Sequence, residues 1–189
     1  MEKRTYNVEF RAKGEDEGIV SGYAAVFRST SNELWGFEEV IQPGAFDKSD
    51  MSDVRALFNH DPNKILARSA SGTLKLEIDE TGLRYEFSLP NTTDGNDLRE
   101  MMKRGDVSQS SFAFTVGRDS WEERTDEAGN PMLPLRHIHE VRRVYDVSPV
   151  TYPAYEAATA TIRSLDELRA KPQAQEDAAI EIETFILTN

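Results

Sequence analysis

Three serines stand within four positions in "GDVSQSSFAFTV" (105–116). A serine hydroxyl is a weak nucleophile at neutral pH and needs a neighbouring base, most often a histidine. The chain holds three histidines, His60, His137 and His139. Read as a strand, the stretch sends alternate side chains to opposite faces. Ser108, Ser110, Phe112, Phe114 and Val116 share one face, which the phenylalanines mark as the core. Gln109, Ser111, Ala113 and Thr115 share the other, where every side chain is small or polar. This places Ser111 on an open face, flanked by Ala113, with room for a substrate to approach. Ser110 points inward as a satisfied polar residue. The ordinary alternative is that all three serines are structural, since serine is common at strand starts.

The histidines differ in their settings. "ALFNHDP" (56–62) puts His60 just after an apolar strand and just before a "DP" turn. A strand end can project a side chain into a cleft; an exposed turn histidine is the plainer reading. "RHIHEV" (136–141) puts His137 and His139 on one strand face, a His-x-His pattern able to bind a metal. No third ligand stands at suitable spacing, so a solvated strand face is the plainer reading here too. The third role in serine catalysis is orienting the base and stabilising its cation. "RRVYDVSPVTYPAY" (142–155) offers Asp146, which on a regular strand shares a face with Val144 and Ser148. Carboxylates are abundant, and spacing alone does not select this one.

The elements that must position these groups are mostly short strands. "TYNVEFRA" (5–12) alternates Tyr6, Val8 and Phe10 with polar partners. "GIVSGYAAVF" (18–27) reads as a largely buried strand. "TLKLEIDETGLRYEFSLP" (73–90) is a hairpin, with alternating apolar residues on both sides of "ETG". "DGNDLREMMKRG" (94–105) is helical, with Leu98, Met101 and Met102 on one stripe, basic residues near its end and Gly105 as the cap. "SLDELRAK" (164–171) opens with a capping-box pair, Ser164 and Glu167, and "PGAFDKSD" (43–50) suggests one short helical turn. "NTT" (91–93) matches a glycosylation sequon but reads as a turn. The expected class is α+β, mainly β, with a curved sheet or barrel and few helices.

The chain has 189 residues, enough for one well-cored domain or for one domain plus a tail. After Lys171 the composition turns polar and acidic. The boundary is expected near 165–172, leaving a domain over 1–165 and a tail or processing segment over 166–189. The net charge of −12 argues against non-specific binding to nucleic acid or anionic membranes. The chain has no cysteines, which excludes disulfides, thiolate catalysis and Cys-based zinc sites. No secretory signal is visible in "MEKRTYNVEF", and no run reaches the roughly 20 apolar residues of a bilayer span.

Four segments in order, "GYAAVF" (22–27), "ALFNHDP" (56–62), "GDVSQSSFAF" (105–114) and "VYDVSPVTYPAY" (144–155), together resemble the prohead proteases. These are the capsid-maturation serine proteases of tailed bacteriophages. "FEEVIQPGAF" (37–46) and the 73–90 hairpin also sit where that family has similar segments. The resemblance covers roughly residues 5–165. It implies a β-barrel with peripheral helices, like that of herpesvirus assemblins. It also implies peptide hydrolysis through an acyl-enzyme, without metal or organic cofactor. His60 of "NHD" takes the place of the general base, and Ser111, before Phe-x-Phe, that of the nucleophile. Asp146 of "DVS" takes the place of the acidic member, where the family usually has glutamate. Aspartate is one methylene shorter, which suggests an indirect contact with His60. It also keeps His137 and His139 open as alternatives, since assemblins use a second histidine. "SFAF" replaces the family's usual "SFGF", adding the Ala113 methyl beside Ser111.

The implied substrates are scaffold or the scaffolding segment of the major capsid protein, and the protease itself. The implied place is inside the phage prohead in the bacterial cytoplasm. The oligomeric state stays open, a homo-oligomer included. The two departures, at Asp146 and Ala113, support one alternative, an inactive scaffold-binding module of the same fold. A metallohydrolase built on His137 and His139 is a weaker third reading.

Overall fold

The computed structural model describes residues 2–12, 18–31, 33, 34 and 36–151. The helix expected over "SLDELRAK", the boundary near 165–172 and the acidic tail lie outside these residues. Within them the chain is mainly β: nine strands, one 3-10 turn and one α-helix. The strands are β1 (Glu2–Ala12), β2 (Gly18–Val26), β3 (Glu38–Ile41), β4 (Arg55–Phe58) and β5 (Asp61–Arg68). They continue with β6 (Leu74–Ile78), β7 (Gly82–Ser88), β8 (Gln109–Glu122) and β9 (Leu135–Val150). The helix α1 (Thr93–Arg104) lies between β7 and β8. Its Thr92 hydroxyl accepts from the Gly95 N–H, and Gly105 closes it in the left-handed conformation. The "NTT" stretch is thus the helix's N-terminal cap. Residues 43–48 form turns rather than a helix.

The strands order as β5-β4-β9-β8-β1-β2-β7-β6, with β3 pairing β9 off this path. Among the described residues the path does not close into a barrel: β5 and β6, its two ends, are consecutive in the chain. They are joined by the short 3-10 turn Ser69–Ser71. One hydrophobic core nevertheless collects side chains from β2 through β9, and from α1. Phe112 and Phe114 lie at its centre, fully buried and stacked at 4.5 Å, with Phe46 against Phe112. The phenylalanine face of "SFAF" is therefore the core face, as alternation requires.

The long β8–β9 hairpin carries an irregularity that the sequence does not announce. Ala113 faces Asp146, but the next residue, Phe114, faces Val144. Tyr145 is the extra residue of a β-bulge, which lets a strand re-aim its side chains. Regular alternation put Val144 and Asp146 on one face. The bulge separates them: Val144 and Val147 join Phe114 and Phe112 in the core. Asp146 instead joins the Ala113 and Ser111 face, with Ser148 opposite Ser111.

Candidate active site

Ser111 lies inside β8, paired with Thr5 of β1 on one side and Ser148 of β9 on the other. It is a strand residue, unlike a nucleophile elbow at a strand-to-helix turn. β4 runs parallel to β9 on β9's far side, with Arg55 opposite Asp146 and Ala56 opposite Val147. The chain then reverses at Asn59 and His60, between Phe58 and its partner Asp61. The "DP" step thus starts β5, and His60 sits in the turn itself. Positive φ at both central residues, 55° at Asn59 and 57° at His60, is the pattern of a type I′ hairpin turn. Asparagine suits its first position. The second usually takes glycine, and here carries an imidazole.

Two contacts fasten this turn to the end of β9. The Asn59 N–H donates to the Pro149 carbonyl at 3.0 Å, and the Asn59 carboxamide oxygen accepts the Thr151 N–H at 2.9 Å. His60 is thereby held across β9. Its Nε2 lies 2.8 Å from the Ser111 hydroxyl, and its Nδ1 lies 2.5 Å from Asp146 Oδ1. The same Oδ1 accepts the Ser148 hydroxyl at 2.6 Å. The His60 and Asp146 side chains are 6% and 7% exposed, so these bonds lie away from bulk water. The short aspartate reaches His60 directly, contrary to the indirect contact expected from its length. The bulge at Tyr145 and the proximity of β4 bring carboxylate and ring together.

The open face expected around Ser111 is covered. Ser111 and Ala113 have no exposed surface, because the turn lays His60 over this face and β9 flanks it. Ser108, expected on the phenylalanine face, is exposed and precedes the first β8 residue, Gln109. Ser110 points into the core and accepts a 2.8 Å hydrogen bond from the Tyr85 hydroxyl. Burial pushes the Tyr85 phenol well above its ordinary range, so the group stays protonated and able to donate.

His137 and His139 belong to the other end of β9, with rings stacked at 6.2 Å. His137 hydrogen-bonds Gln42 through Nδ1 and Glu122 through Nε2, and His139 bonds the Ser120 hydroxyl. Nine residues of strand, about 30 Å, separate His137 from Asp146. Among the described residues no group of three His, Asp or Glu side chains gathers as a metal site. Sequence reasoning missed Asn59 and Ser148. A signal for Asn59 was present, since asparagine at the first position of a two-residue hairpin turn is favoured. Ser148 had none beyond its i+2 spacing from Asp146.

A hydroxyl, an imidazole and a carboxylate in hydrogen-bonded series can generate an alkoxide-like nucleophile for acyl transfer. The sequence model of one family, the caudovirus prohead serine proteases, matches residues 6–171. No curated protein and no solved structure matches the chain. A match over most of the sequence, on a mainly β fold with this series inside it, places the chain among the caudovirus prohead serine proteases.

Proposed function

We propose that the protein is an active serine endopeptidase with Ser111 as nucleophile, His60 as general base and Asp146 as the residue that orients the base. Its substrates are scaffold or the scaffolding segment of the major capsid protein, and the protease itself. It works inside the prohead in the bacterial host. The observation that carries this reading is the series Ser111 Oγ, His60 Nε2, His60 Nδ1, Asp146 Oδ1 in a chain of this family. As Ser111 Oγ attacks the scissile carbonyl carbon, its proton passes to His60 Nε2. The Asp146 carboxylate holds Nδ1–H, fixing the tautomer and stabilising the imidazolium. The imidazolium then protonates the leaving amine, and water, deprotonated by His60, hydrolyses the acyl-enzyme. We further read the curled sheet as an assemblin-like barrel whose seam lies between β5 and β6. The Thr73 N–H on the Arg68 carbonyl, which draws the start of β6 to the end of β5, supports that reading.

Co-expression with the major capsid protein of the same phage tests the proposal. The expected result is a shortened capsid protein with the native chain and none with Ser111→Ala. Undiminished cleavage by Ser111→Ala overturns the assignment of the nucleophile. A fluorophosphonate probe separates the active enzyme from an inert binding module, since only the former is labelled at Ser111. Labelling should fall on acidification, because the base must be neutral to accept the proton.

A further inference from the structure

Ser148 lies in the triad's own sheet face and is not part of the Ser–His–Asp series. It is fully buried, stands opposite Ser111 in the β8–β9 ladder, and donates its hydroxyl to Asp146 Oδ1 at 2.6 Å. That oxygen is the one His60 Nδ1 contacts. Two donors therefore converge on a single carboxylate oxygen in a site almost without water. A carboxylate turns easily about its last bond, where the torsional wells are broad and roughly two-fold. With Ser148 attached, turning Asp146 away from His60 breaks a second, buried, charge-assisted hydrogen bond as well. The bulge at Tyr145 puts both residues on this face, two positions apart, so the contact forms within one strand and needs no loop to adjust.

We propose that Ser148 is a positioning residue for the reaction: it locks Asp146 so that Oδ1 holds His60 Nδ1–H and leaves Nε2 free for the Ser111 proton. The inference rests on the triad reading above. Its consequence is a fourth position at which the rate of Ser111 acylation is set, through Asp146 and without contact with substrate.

The test uses the whole chain and measures the rate of Ser111 acylation by a fluorophosphonate probe. Ser148→Ala is expected to acylate about tenfold more slowly, the factor that one hydrogen bond to a charged group can carry. Ser148→Thr, which keeps the hydroxyl, restores much of the rate. Added to Asp146→Asn, Ser148→Ala lowers the rate no further, because it acts through the carboxylate. A Ser148→Ala rate equal to the native rate overturns the inference, as does an additive loss in the double variant, which marks a merely structural role. Should Ser148→Ala fail to fold, the near-isosteric weak donor in Ser148→Cys decides: slow acylation supports the inference, and a native rate overturns it. Failure of the underlying reading looks different. In that case the native chain is not labelled at Ser111, or Asp146→Asn is labelled at the native rate.

Discussion

Asp146 Oδ1 and His60 Nδ1 meet at 2.5 Å, 86 residues apart in sequence, one on β9 and the other in the turn between β4 and β5. The contact determines which imidazole nitrogen carries the proton and therefore which can take one from Ser111. Asp146→Asn keeps the shape but supplies an amide that does not hold the same tautomer. The expected outcome is an acylation rate at Ser111 lower by roughly 10³–10⁴, the scale of removing a triad carboxylate. Probe-labelling kinetics on the folded variant measure it. A rate within tenfold of native would remove Asp146 from the mechanism.

Much of the sheet was legible because its signals are local. Alternation in β6 and β7 and the Phe-x-Phe of β8 fix which side chains face the core, and the helix caps at Thr92 and Gly105 mark α1. The ordered motifs named Ser111, His60 and Asp146, which the structure brings into hydrogen-bonded contact; how they are brought together was not legible. Period-two reasoning assigned Val144 and Asp146 to one face, and a single inserted residue, Tyr145, reversed that. Ser111 was expected to be open because its own face is polar. What covers it, His60, arrives from a turn 51 residues away. Local pattern cannot predict the occupant of a face when that occupant comes from a distant turn.

The turn that carries His60 should invert a usual ranking. Alanine normally outranks glycine in regular structure. At Asn59 the backbone is left-handed, where a Cβ costs about 1–2 kcal/mol and glycine nothing. Both substitutions lose the carboxamide contact with Thr151 equally. Once glycine's extra freedom in the unfolded chain is subtracted, Asn59→Gly should still be more stable than Asn59→Ala by about 0.5–1 kcal/mol in urea unfolding. The opposite order would mean that the positive φ of Asn59 is not kept in solution.

Tyr85 predicts an alkaline signature. Its folded-state pKa is raised by burial, so folding favours the protonated phenol. That preference stabilises the fold fully below the ordinary phenol value of about 10 and is lost as pH climbs beyond it. Tyr85→Phe forfeits the hydrogen bond to Ser110, about 1 kcal/mol at neutral pH, but has no phenol to ionise. The stability gap between native and variant chains should shrink between pH 9 and 11, and then reverse. Urea midpoints across that range check it; a gap that stays constant would show that Tyr85 ionises as freely in the folded protein as in the unfolded chain.

Ala113 decides whether the methyl beside Ser111 obstructs the site or fills it. It is fully buried, lies two residues along the same face from Ser111, and faces Asp146 across the ladder. With the hydrogen bonds of Ser111, His60 and Asp146 all formed around it, the methyl occupies space that would otherwise be a void. Ala113→Gly removes a buried methyl, worth about 0.8 kcal/mol, and loosens the strand by a further 0.5–1 kcal/mol or so. The expected outcome is a loss of about 1–2 kcal/mol in stability with acylation of Ser111 within a fewfold of native. Chemical denaturation and probe labelling on the same preparation read both. If glycine instead speeds acylation tenfold or more, the methyl crowds Ser111 and the packing argument is wrong.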